Sequence, residues 1–191
     1  MSPGKINGPH ELVITHLKDF DSLLDFTCGI PEMDAFIRSR FKDSVYNHFC
    51  VPYAVWFEGT MIALFALNYD AVVLPDDYKD DLQIGATAFG LPSVSESYEE
   101  TFWAKWHYPA IEISYLAVQK DFQHLKVGTQ LIEEIVSIAK RQALAGCQFV
   151  TVEAYRKAGY SAEGFYWKCR FSRCSDPDPV GDTVRMYRFL F

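Results

Sequence analysis

"EISYLAVQKDFQHLKVGTQLIEEI", residues 112–135, decides how this chain is read. It opens as an apolar run and continues into a helical repeat starting near Gly128 and running to about Ala143. That repeat places Leu131, Ile132, Ile135, Ile138 and Ala139 on one face. Between the two lies "FQHLKVGTQL", residues 122–131, a loop that leaves a strand and opens a helix. The first N–H groups of a helix have no partner within it, and the helix dipole adds partial positive charge there. Such a loop suits a phosphate or pyrophosphate. Glycines usually line it, because the ligand must approach the backbone closely. Here Gly128 is the one glycine, Thr129 adds a hydroxyl, and Lys126 puts a cation where a glycine would be usual. From the loop alone, an anion cradle and an ordinary strand-to-helix turn read equally well.

The flanks supply context. "AIEISYLAV", residues 110–118, is apolar enough for the middle of a sheet. Downstream, "QFVTVEAY" reads as a second buried strand, "SAEGFYWKCRF" as a short helix and "DTVRMYRFLF" as an alternating closing strand. Upstream, "ELVITHL", residues 11–17, reads as a first strand. A helix begins at Pro31 and runs through "PEMDAFIRSRFKDSVY", with Met33, Phe36, Ile37 and Phe41 at helical spacing. "PYAVWFEGTMIALFAL" reads as two strands around a Glu58-Gly59 turn. Residues 75–107, with "DDYKDD" and "SESYEE", read as acidic surface loops with a short helix, and residues 1–10 as a loose tail. The order β-α-β-β-β-α-β-α-β predicts one mixed α/β domain over residues 11–191, with no internal linker or repeat.

Composition narrows the classes. With 191 residues, 49% of them apolar and 16% aromatic, the chain has room for a sizeable core and is no disordered polymer. Its five cysteines are odd in number, scattered and without a CxxC pair, which argues against a zinc site or a disulfide framework. No metal is expected. The first residues carry no long apolar run, so neither a signal peptide nor a membrane anchor is expected, and the location expected is the cytoplasm. The net charge of −7 argues against nucleic acid as a partner.

Taken together, strand "EISYLAV", the loop, strand "FVTVEAY" and helix "AEGFYWKCRF" resemble the GNAT superfamily of acyl-CoA N-acyltransferases. Its loop pattern is Gln or Arg, two residues, Gly, one residue, Gly or Ala. Gln123, Val127 and Gly128 fit; Lys126 departs from the first glycine, and His124 stands where another is frequent. The resemblance implies a mostly antiparallel mixed sheet flanked by helices, with splayed central strands holding acetyl-CoA. The pantetheine arm would run along Leu116, Ala117 and Val118, since an extended arm with two amides can imitate a strand partner. The pyrophosphate would sit on Gln123, His124, Leu125, Lys126, Val127, Gly128 and Thr129. The second half of the family pattern is met by Ala162, Phe165, Tyr166, Lys168 and Phe171, with Arg170 in place of a glycine and Gly159 where asparagine is common. "FTCGIPEMDAFIRSRF" further resembles a signature of one GNAT branch, with Met33 for the usual leucine. That branch includes toxins that acetylate the amino acid on charged tRNA.

Acetyl transfer from a thioester to an amine needs an amine that loses its proton, a donor to the oxyanion, and a proton for a thiolate of pKa about 8.5. The simplest oxyanion donor is the Val118 N–H, and the resemblance makes Tyr166 the general acid. Glu112, six residues before Val118 and on the face of Ser114 and Leu116 by alternation, is the candidate base. A partnered surface carboxylate is an equal reading of Glu112, and His107 and His124 are weaker bases. The leading expectation is an N-acetyltransferase acting on a small-molecule or protein amine, with a homodimer expected from the family. The alternatives are the tRNA-acetylating toxin and a non-catalytic CoA-binding or sensing scaffold, the latter suggested by Lys126, Gly159 and Arg170.

Overall fold

The structure, a computed structural model, describes residues 12–73, 94–157, 159–174 and 181–191. The expected tail at residues 1–10 and the acidic run "DDYKDD" lie outside the described residues. The chain forms two compact units, Met1–Asn68 with Ile113–Glu133 and Tyr69–Glu112 with Glu134–Phe191. The fold is mixed α/β, built on an open, mostly antiparallel sheet flanked by helices.

In the first unit the strands run in the order β1 (Val13–His16), β2 (Val51–Phe57), β3 (Thr60–Val73) and β4 (His107–Val118), the last two continuing into the second unit. β1 and β2 pair antiparallel, as do β2 and β3. Phe57 faces Thr60 across a two-residue loop in which Glu58 (φ 49°) and Gly59 (φ 79°) are both left-handed. That double positive φ matches the right-handed twist of the flanking strands. The expected Glu58-Gly59 hairpin is therefore present. β3 extends well beyond the sequence expectation, and Ile62 to Ala66 are wholly inaccessible to water, as a strand covered on both faces requires.

The single helix expected over residues 31–46 is two: α1 (Pro31–Ser39) and α2 (Phe41–Tyr46), broken at Arg40 (φ −124°, ψ −19°). No glycine or proline marks the break, so the shared apolar spacing was legible and the break was not. Phe41 begins α2, is 0% exposed, and meets Phe20, Phe36 and Tyr115 edge-on. With Leu23, Phe26, Ile37, Ala54, Leu64 and Ala117 it forms this unit's core.

The second unit orders its strands β4, β5 (Phe149–Lys157), β8 (Thr183–Phe189) and β7 (Ser172–Arg173), with the short β6 (Tyr160–Ser161) paired to β5. β5 and β8 run antiparallel from Phe149↔Phe189 to Tyr155↔Thr183. The two-residue strands β6 and β7 were not anticipated, being too short to show a period. α3 (Glu99–Trp103) supplies the short helix expected in the acidic region. Its Phe102 packs with Tyr108, Phe149 and Phe189 in a largely aromatic core. The remaining helices are α4 (Val127–Arg141), which passes from the first unit into the second, and α5 (Glu163–Lys168). On α4, Leu131, Ile132, Ile135, Val136 and Ala139 are buried, while Ile138, expected on the same face, is only half-buried.

Candidate active site

In the first unit, the end of β4 and the start of α4 are joined by residues 119–126. The Gln119 N–H donates to the Ile62 carbonyl of β3 at 2.8 Å. Strand alternation then turns the N–H groups of Leu116 and Val118 toward the edge away from β3. Ala117 is buried; Leu116 and Val118 are half-buried. A 3₁₀ turn follows at Lys120–Phe122, and residues 123–126 lead into α4. The first helical bond runs from Gln130 N to Lys126 O at 3.0 Å. The N–H groups of Val127, Gly128 and Thr129 therefore stand at the open end of α4, ahead of any intrahelical acceptor.

His124 (φ 62°) and Lys126 (φ 64°) are both left-handed. These are the two positions where the sequence departs from glycine, so the backbone keeps the path glycine would take. Each departure costs about 1–2 kcal/mol relative to an unstrained backbone. Gly128 is different: it lies within α4 and has ordinary helical dihedrals. Both His124 and Lys126 have exposed side chains, and Leu125 is half-buried.

Gln123 is placed differently from the simplest reading of a ligand-facing side chain. Its amide donates to the Cys28 carbonyl at 2.7 Å and to the Val118 carbonyl at 3.0 Å. It ties the loop to β4 and to the turn that precedes α1. Asp34 of α1, 7% exposed, accepts from that turn: from the Thr27 hydroxyl (2.5 Å), from Cys28 N (2.7 Å) and Sγ (3.1 Å), and from Gly29 N (3.3 Å). Burial pushes the Asp34 carboxyl upward, but the hydrogen bonds from Thr27, Cys28 and Gly29 outweigh it and hold it below its ordinary value. A carboxyl lowered by folding stabilises above its unfolded pKa of about 3.9, and that contribution is lost as pH falls through the folded value. Asp34→Asn is thus expected to cost about 1–3 kcal/mol at neutral pH, with the gap narrowing below about pH 4. Urea titrations across that range would check it. Burial also pushes the Cys28 thiol up to about 11, which marks a core thiol and not a nucleophile.

This brace was missed at the level of sequence. Its signal was an aspartate in the first turn of a proline-initiated helix, close behind a Thr-Cys-Gly turn.

In the second unit Tyr166 lies on α5, 6% exposed, with its ring 5.0 Å from that of Phe165 and 5.4 Å from that of Phe171. Burial raises its phenol pKa above the ordinary range, with smaller contributions from Tyr160 and Cys169, so it stays protonated. α5 ends in a Schellman motif: Phe171 N donates to Tyr166 O at 3.0 Å and Arg170 N to Trp167 O at 2.9 Å. Arg170 is left-handed (φ 66°), again where the sequence departs from glycine. The buried Arg188 closes the same helix end, its Nη1 donating to the Cys169 carbonyl at 2.9 Å. Since Arg170 is exposed, Arg170→Gly is expected to stabilise the protein by about 1 kcal/mol, read as a higher urea midpoint with unchanged slope. Glu112, on the second unit's part of β4, is half-buried.

The five cysteines are free thiols, and among the described residues no group of three or more His, Cys, Asp or Glu could hold a metal ion. No helix of the described residues is long and apolar enough to cross a membrane.

The chain belongs to the acetyltransferase (GNAT) family, whose model matches residues 23–171. A comparison with curated proteins found no match. Among solved structures, the chain is similar to a bacterial toxin, at 19% identity and TM-score 0.67, covering 95% of this chain and 92% of that one. It is also similar to a tyrosine-to-phenylalanine mutant of KacT, at 16% identity and TM-score 0.66, covering 95% and 96%. A third is AtaT complexed with acetyl-methionyl-tRNAfMet, at 16% identity and TM-score 0.62, covering 92% and 94%.

Proposed function

We propose that the protein transfers an acetyl group from acetyl-CoA directly to a primary amine. One observation carries this reading: residues 123–129 keep an open helix N-terminus although glycine is replaced at His124 and Lys126. The N–H groups of Val127, Gly128 and Thr129 would hold the pyrophosphate, with Lys126 adding a cation beside it. The side of β4 away from β3 would hold the two pantetheine amides at Leu116 and Val118, provided that β5 leaves this end of β4 unpaired.

In the step itself, the amine nitrogen bonds to the thioester carbon and the carbonyl becomes an oxyanion. The Val118 N–H donates to that oxyanion. Collapse breaks the carbon–sulfur bond. Tyr166, firmly protonated, donates first a hydrogen bond and then its proton to the departing sulfur. The proton lost by the nitrogen leaves through water to Glu112 or to solvent, and the Tyr166 phenolate takes a proton back from water, so that the net change is amine plus thioester to amide plus thiol.

The acceptor proposed is the amine of an aminoacyl-tRNA. Two observations favour it over a small-molecule or protein amine: the toxin-like "FTCGIPEMDAF" run, and the similarity in fold to AtaT, solved with acetyl-methionyl-tRNAfMet. The net charge of −7 weighs the other way. Incubation of the protein with labelled acetyl-CoA and charged tRNA tests it. Label transferred to the aminoacyl end supports the reading; label transferred only to free amines returns the small-molecule acceptor to first place. The left-handed Lys126 and Arg170 favour a catalytic protein over a silent scaffold, because neither replacement diverts the backbone.

A further inference from the structure

The loop carries two strained residues, and strain of this kind persists only where the surroundings over-determine it. The surroundings here are the turn at residues 27–29. Thr27 N donates to Gln119 Oε1 at 3.0 Å, Lys120 N donates to Thr27 O at 2.9 Å, and Gln123 Nε2 donates to Cys28 O at 2.7 Å. Gly29 (φ 80°) lies against the Lys120 stem, and a side chain there would meet its Cδ at 3.5 Å. Gln123 also reaches Val118 O at 3.0 Å, which closes a ring around the 3₁₀ turn. The turn in its own right is held by Asp34, whose two oxygens take donors from three successive residues. Arg38 Nη2 adds a bond to Phe26 O at 3.1 Å.

We propose that Asp34 is a positioning residue for the phosphate loop, acting through the Thr27–Gly29 turn and the Gln123 amide. This rests on the acetyl-CoA reading above. Asp34 touches no reacting atom. It fixes where the Thr27 and Cys28 carbonyls point, these hold Lys120 and Gln123, and the four residues from 123 to 126 then set the start of α4. A loop lacking the usual glycines needs such a brace to present its N–H groups in one arrangement.

The test uses the full chain and four variants: Thr27→Val, Thr27→Ser, Gln123→Leu and the double Thr27→Val/Gln123→Leu. Amide hydrogen exchange is followed alongside calorimetric titration with acetyl-CoA. Thr27→Val should speed exchange at residues 119–129 about tenfold while leaving β5 and β8 unchanged, and should weaken acetyl-CoA about five- to tenfold. Thr27→Ser, which keeps the hydroxyl, should behave as the unaltered protein. The double variant should bind no worse than Gln123→Leu, because both act through one path. Wild-type behaviour of Thr27→Val, faster exchange everywhere alike, or losses that multiply would each overturn the proposal. If the unaltered protein binds no acetyl-CoA, the functional reading falls, and the exchange pattern by itself decides the positioning role.

Discussion

Tyr166→Phe is expected to lower the rate of acetyl transfer by about a hundred- to ten-thousandfold while leaving acetyl-CoA affinity nearly unchanged. The substitution removes one hydroxyl and keeps the ring that packs on Phe165 and Phe171. The Schellman bonds that end α5 are main-chain bonds and survive it. The loss should therefore appear in kcat, since the phenol acts on the sulfur only as the carbon–sulfur bond breaks. Burial keeps the phenol protonated, so turnover should show no alkaline limb from this group below about pH 10. Single-turnover kinetics with titration of the same samples separates the two quantities. Equal losses of rate and affinity would remove Tyr166 from the role of acid and make it a binding or packing residue.

Gly128→Val is expected to weaken acetyl-CoA binding about a hundredfold or more, equivalent to about 3 kcal/mol. The argument turns on a contrast within the loop. His124 and Lys126 hold the left-handed conformations that favour glycine, yet they are not glycine. Gly128 is glycine, yet its backbone is helical, a conformation that does not itself call for glycine. On the cradle reading, glycine at 128 serves a group that must come close to the backbone. On this account the variant folds with near-normal stability and fails to bind. A variant that binds normally would contradict the cradle, whereas one that unfolds would place the glycine's role in packing against its neighbours.

What the sequence disclosed follows from where physics is local. The run 110–118, the α4 repeat and the Glu58-Gly59 hairpin depend on periodicity and on turn chemistry within a few residues, and they stand in the structure near where they were expected. The break at Arg40 and the strands β6 and β7 depend on tertiary packing and short pairings, which leave no period to read. The run of residues proposed to hold acetyl-CoA was legible as a run. The brace beneath it was not, because Asp34 and Gln123 meet through a turn nearly a hundred positions away from the loop. In sequence, His124, Lys126 and Arg170 read as departures from the family's glycines. In the structure each has a positive φ, the region that glycine adopts without strain.

The central claim is that residues 123–129 form a working phosphate cradle. Calorimetric titration of the purified protein with acetyl-CoA tests it most directly, with dephospho-CoA beside it as a control that retains the pyrophosphate. The account predicts micromolar binding of both, about −8 kcal/mol. No detectable binding of either would contradict it and leave the loop an ordinary strand-to-helix turn.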